Sequence, residues 1–195
     1  MYFFFPGLTV AFYAGFLYKL VKLSIIQEDH EDEDTYNKRV NEYEGYVFIT
    51  LGLSQILTGF WMNRFSEKFN TFKLATIGTL MVELAGFVSF VCYYLKSYPL
   101  CFLASFLWGS SETFLQTNTG GLISKVFPGK VEGFSVYRIF FACGVVFVLI
   151  INIALSSYDP YIFLTIILVL QTLVSVVSLN LRYLEVPSNE KATNG

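Results

Sequence analysis

Charge is what this sequence has least of. Asp, Glu, Lys and Arg make up 14% of its 195 residues, where a soluble domain carries about a quarter. The formal net charge is -2 and no basic patch or nucleic-acid motif occurs, so nucleic acid is excluded as a partner. There is one histidine, His30, set in an acidic stretch with no second imidazole to share a metal. The three cysteines, Cys92, Cys101 and Cys143, all lie in apolar runs without CxxC or Cys/His spacing. They read as small packing residues rather than metal or redox groups. No metal and no cofactor is expected. Asn-x-Ser/Thr acceptor sites are absent. So is a basic segment ahead of the first apolar run, which from Tyr2 to Ile26 is long enough to span a membrane rather than to be cleaved.

What is abundant is apolar side chain, 54% of the total, with 21 Phe and 13 Tyr. That composition places the chain among integral membrane proteins. A hydrocarbon core about 30 Å thick takes roughly 20 apolar residues of helix. Six stretches qualify: Tyr2 to Ile26, Gly45 to Met62, Phe72 to Leu95, Tyr98 to Ile123, Phe134 to Ser156 and Pro160 to Leu181. They are apolar all round and do not alternate as barrel strands would, so the expected fold is all-α with six transmembrane helices. Pro6, Pro99 and Pro160 stand at helix starts, where proline is tolerated. Tyr93, Tyr94, Tyr98, Tyr158 and Tyr161 cluster at the helix ends of one side, as an interfacial belt would.

The connections are short except for QEDHEDEDTYNKRVNEYE, residues 27–44, with eight acids against two bases. It cannot enter hydrocarbon or form a core, so it reads as a solvated loop, or as a vestibule attracting cations. Residues 185–195 read as a disordered tail. Arg64, Lys68, Lys73, Lys125, Lys130, Arg182 and Lys191 gather on one side of the six helices, and Lys19, Lys22, Lys38, Arg39 and Lys96 on the other. The richer side is expected in the cytoplasm, with both termini, and the acidic segment outside it or in a lumen.

Three ionisable residues fall inside the apolar stretches: Glu83, Glu112 and Arg138. Each costs roughly 2.5–3.5 kcal/mol at a helix centre, so they are expected to face the protein interior, a cavity or one another. At 1.5 Å per residue, Glu83 and Glu112 both lie about 16–17 Å from the basic-side ends of their helices, near the midplane. Arg138 lies shallower and either approaches Glu112 or reaches for the headgroups. Gly109, Glu112, Gln116 and Thr119 follow a 3, 4, 3 spacing that puts them on one helix face. With Asn118 beside it, that polar stripe either lines a water-filled path or joins two helices by hydrogen bonds. Gln55 and Gln171 also stand near mid-depth, and each alone reads as such a link. Burial disfavours the charged form of a carboxyl, which makes Glu112 a candidate proton carrier. Pairs of glycines, Gly52 with Gly59, Gly78 with Gly86 and Gly120 with Gly121, offer small surfaces for close helix approach.

The segment GFWMNRFSEK, from Gly59 to Lys68, resembles the inter-helix signature G-x-x-x-D-R-x-G-R/K-R/K of the major facilitator superfamily. Gly59, Arg64 and Lys68 match it; Asn63 stands for the Asp, Ser66 for the second Gly and Glu67 for a base. PGLTVAF, 6–12, is similar to the seventh helix of uncoordinated-93-like members. WGSSETFLQTNTGGLISKVFP, 108–128, resembles their tenth, with Glu112 as its acid and Gln116-Thr117-Asn118-Thr119 as its polar cluster. GFSVYRIFFACG, 133–144, fits the eleventh. The resemblance implies the C-terminal six-helix half of a twelve-helix fold, with a gate latch around Gly59, Asn63, Arg64 and Lys68. It further implies a second half supplied by a preceding segment or by a homodimer, unless the chain is a fragment without independent activity. The function implied is secondary transport of a small solute. Some uncoordinated-93-like proteins instead act as channel regulators or trafficking partners, which makes another membrane protein the alternative partner. The bilayer is the expected surroundings in either case. An enzyme is not expected, since no nucleophile–base pairing can be read.

Overall fold

The computed structural model describes residues 4–26, 32–69 and 71–154, with positions 161, 162, 165, 166, 168–170, 172, 173 and 176 beyond them. All regular structure among the described residues is α-helical: α1 Phe5–Ser24, α2 Glu33–Lys68, α3 Thr71–Leu95, α4 Tyr98–Val126 and α5 Glu132–Ala154. Four of these lie within three residues of the stretches read from apolar content. The sixth stretch, 160–181, falls largely outside the described residues, as do Gln171 and the tail 185–195; the described positions between 161 and 176 are helical.

The second helix departs from expectation. The segment 27–44 was expected as a loop, yet its later part, from Glu33, is the start of α2. Its polarity argues against hydrocarbon but not against a helix. Asp32 takes extended backbone at the N-cap and Glu33 and Asp34 follow in the first turn, where acids interact favourably with the helix dipole. These turns also have a partner: Tyr36 donates from its hydroxyl to the carbonyls of Lys22 and Ile25, at 3.1 and 3.3 Å, and the Arg39 guanidinium donates to Ile26 at 3.0 Å. The carbonyls left over at the end of α1 are thereby satisfied. Val40 is fully buried beneath them. At 36 residues, α2 is about 54 Å long, so its polar turns extend beyond a hydrocarbon core of about 30 Å.

Two helices form the centre. Twelve of the twenty residues of α1 are buried, against four of twenty-three in α5. α4 packs on α2, α3 and α1, while α5 lies against α1. Phe12, Phe16 and Trp108 fill the α1–α4 contact, Phe12 stacking on Phe16 and tilting against Trp108, both at 5.2 Å between centroids. The buried indole of Trp108 donates to Ser89 Oγ at 2.9 Å, tying α4 to α3.

The tightest approaches between the described helices fall at glycines outside the expected pairs. A Cβ on Gly109 would fall onto Ser54 Oγ and the Leu51 carbonyl of α2. Gly7 and Gly144 play the same part where α1 crosses α5: a Cβ on Gly7 would meet the Phe141 carbonyl, and one on Gly144 the Phe4 carbonyl. Of the expected glycines, Gly52, Gly59, Gly120 and Gly121 would meet nothing within 4 Å, whereas Gly78 does face α4 closely: a Cβ there would stand 3.2 Å from Phe114 Cβ and 3.6 Å from the Leu115 backbone nitrogen.

The outer faces are apolar. Ile49, Leu53, Ile56 and Phe60 line one side of α2, Leu80, Leu84 and Phe87 one side of α3, and Ile139, Val146, Ile150 and Ile153 one side of α5. Soluble monomers rarely expose continuous apolar faces of this extent. The segments Glu33–Lys68, Lys73–Leu95 and Glu132–Ala154 are long and apolar enough to cross a membrane, and the chain is read as a membrane protein with transmembrane helices.

Candidate functional site

The site is built on α4, at the point where it crosses α2 and α1. Ser105, Gly109 and Thr113 recur every four residues and form one ridge of small side chains. Ser105 donates to the Val47 carbonyl at 2.6 Å, Gly109 lets Leu51 and Ser54 approach, and Thr113 donates to the Gln55 carbonyl at 3.5 Å and to the Gly109 carbonyl at 3.1 Å. Thr58 donates to Ser110 Oγ at 3.0 Å on the same seam. Such small and hydroxyl-bearing ridges let helix backbones come together in lipid.

Glu112 is set within this contact and is buried. Its carboxylate accepts hydrogen bonds from three elements. Tyr13 of α1 donates its hydroxyl to Oε2, Gln55 of α2 donates its amide to the same oxygen at 2.6 Å, and Gln116, one turn further along α4, donates to Oε1 at 2.6 Å. All three donors are neutral. Tyr13 is itself buried, Gln55 half-buried and Gln116 exposed, so the cluster runs from the core to the surface of the described helices. A carboxyl held by a phenol and two amides can take up or release a proton while its neighbours stay in place, the amides by turning and the phenol by rotating its hydroxyl. Among the described residues, no three His, Cys, Asp or Glu side chains stand together as a metal site.

Glu112, Gln116 and Gln55 are therefore brought together, and the other candidates are distributed elsewhere. Asn118 is buried, but six residues on from Glu112 it lies about 240° around α4, away from the cluster. Glu83 is half-buried and accepts from the Thr172 hydroxyl at 3.1 Å, linking α3 to the C-terminal segment. Arg138 is exposed on α5, its guanidinium 6.0 Å from the ring centroid of Tyr137, and takes no part in holding Glu112. Gly59, Arg64 and Lys68, expected in a connection, lie in the last turns of α2; Asn63 shares that helix. Arg64 is exposed and stands 5.5 Å from the ring centroid of Trp61. α2 runs through this segment to Lys68, whose charge favours a helix C-terminus.

Tyr13 is the member of the cluster that the sequence patterning passed over. Its hydroxyl is a polar group in the middle of an apolar helix, and buried tyrosines take a hydrogen-bond partner. That was the available signal, but nothing local to α1 names a partner 99 positions away.

No family model, curated protein or solved structure matches this chain.

Proposed function

We propose that this chain is a secondary transporter, or half of one, of the major facilitator type, moving a small solute with Glu112 as the proton-carrying group. The observation that carries this reading is the Glu112 carboxylate, buried between three helices and connected through Gln55 and Gln116 to the surface of the described helices, at a position that the rise per residue expects near mid-depth. Ionisable groups at that depth are costly, and they mark substrate or proton pathways where they occur. The resemblance of 59–68 and 108–128 to superfamily motifs supports the same class. In this reading there are six spans, both termini lie in the cytoplasm, and a second six-helix half or a second copy completes the path against the Gln116 edge.

A second reading rests on the same hydrogen bonds. Glu112 is engaged by α1, α2 and α4 together, as a group that only holds helices would be, and this favours a non-transporting regulator or trafficking partner of another membrane protein.

Flux separates the two. The purified protein is reconstituted in liposomes containing a pH-sensitive dye, and pooled amino acids, sugars, nucleosides and organic cations are applied in turn. Transport predicts that one pool drives acidification or alkalinisation, and that Glu112→Gln abolishes this proton movement. A Glu112→Gln protein that retains full, pH-dependent flux would sink the proton-carrier role. Silence of every pool, together with stable co-purification of a membrane partner, would favour the second reading.

A further inference from the structure

Sequence spacing gives no reason to pair Cys92 with Cys101, yet the fold brings their Sγ atoms to 3.3 Å, with both residues fully buried. Cys92 stands three residues before the end of α3 and Cys101 three residues after the start of α4. The turn between them is tight. Lys96 takes a φ of 49° and the chain re-enters helix at once, which folds the two helix ends onto each other.

The thiols are free, and their hydrogen bonds can be followed. Both thiols reach the Ser97 carbonyl, Cys92 at 3.4 Å and Cys101 at 3.8 Å, and either one can donate to the other's sulfur. Ser24 of α1 donates to the Leu20 carbonyl at 2.8 Å, and its Oγ stands 3.6 Å from Cys101 Sγ, covering the pair from the third side. A disulfide needs its sulfurs about 2.05 Å apart, so closing the bond takes about 1.2 Å of combined movement, within reach of small side-chain rotations.

We infer that Cys92 and Cys101 form an intramolecular disulfide that ties α3 to α4 at the acidic end of the molecule. The two thiols lose two protons and two electrons as the Sγ–Sγ bond forms. The oxidant is a disulfide-bearing oxidoreductase or small disulfide, whose S–S bond breaks and which leaves as two thiols. The exchange occurs while the α3–α4 hairpin assembles, before α1 and Ser24 cover the pair. The acidic end is the side that the distribution of Lys and Arg assigns outside the cytoplasm, where such bonds persist. Cys143 is exposed on α5 and stays outside the pair. The inference is independent of what the Glu112 cluster carries.

The test uses the full chain with Cys143→Ser, taken directly from membranes. Free thiols are blocked with N-ethylmaleimide in denaturing detergent, the sample is reduced, and newly released thiols are tagged with a polyethylene-glycol maleimide. Two tags per chain after reduction, and none without it, are the expected result. No tag after reduction would mean that both thiols were free in the cell, and would overturn the inference. Adding Cys92→Ser leaves Cys101 blocked from the start, so the tag disappears; a reducible dimer or a persisting tag in that variant would show that Cys101 pairs elsewhere. Because tagging is done on unfolded chains, a variant that folds poorly still gives a reading.

Discussion

Glu112 accepts hydrogen bonds from side chains of α1, α2 and its own helix, and its substitutions can be ranked. In Glu112→Ala the buried Tyr13 hydroxyl and the half-buried Gln55 amide lose their shared acceptor. Leaving buried donors unmet costs about 1–3 kcal/mol, and the thermal midpoint in detergent is expected to fall accordingly. Glu112→Gln keeps an acceptor for Tyr13 and Gln55, and Gln116 can turn its amide to meet the new NH2, so its cost is smaller. Tyr13→Phe removes one donor and costs about 1 kcal/mol or less, as single hydrogen bonds between membrane helices do. Equal midpoints for the Ala and Gln variants would show that the cluster does not hold α1, α2 and α4 together. Glu112, Gln55 and Gln116 were each legible in the sequence as polar groups at membrane depth. Tyr13 was not, because a tyrosine in an apolar run is also compatible with lipid or with the interface.

At the scale of the element, the α2–α4 contact is decided by which small residue faces a backbone. Gly109→Ala would place a methyl group on Ser54 Oγ and the Leu51 carbonyl. Overpacking of a tight contact costs about 1–3 kcal/mol, so this variant is expected to lower thermal stability and to loosen α2 from α4. Gly52→Ala meets nothing within 4 Å, and helix propensity then favours it by up to about 1 kcal/mol. Melting curves of the two single variants test the pair, and a harmless Gly109→Ala would contradict the packing described. In the sequence Gly52 reads as one of a packing pair and Gly109 as part of the polar stripe, the reverse of their roles at this contact. What distinguishes them is the helix opposite, which no local pattern records.

For the whole molecule, the arrangement to be tested is a polar start of α2 standing clear of a membrane-embedded remainder. Single cysteines at Asn37 and Glu42, in a chain otherwise lacking cysteine, are expected to react with a membrane-impermeant maleimide applied to intact vesicles of one orientation. Cysteines at Leu53 and Ile56 are expected to stay unlabelled, because their exposed face on α2 would be covered by lipid. Ready labelling at Leu53 would mean that this face is wet. The same experiment on inverted vesicles reads which side the acidic end occupies.

The membrane class, the positions of most helices and the expected depth of Glu112 follow from the sequence. Each depends on a quantity summed along the chain: apolar content over about 20 residues, or a rise of 1.5 Å per residue. The helical start of α2, the glycines at the crossings, the choice of Tyr13 as a partner of Glu112, and the meeting of Cys92 with Cys101 depend instead on what another helix presents. Tyr36 and Arg39 stabilise a helix because the end of α1 offers them carbonyls. Cys92 and Cys101 come together because one turn reverses the chain between them. Hydrophobicity selects the segments that enter a bilayer. In lipid, hydrocarbon surrounds every apolar face equally well, so small residues and hydrogen-bonding groups decide which faces meet, and those matches are made in three dimensions.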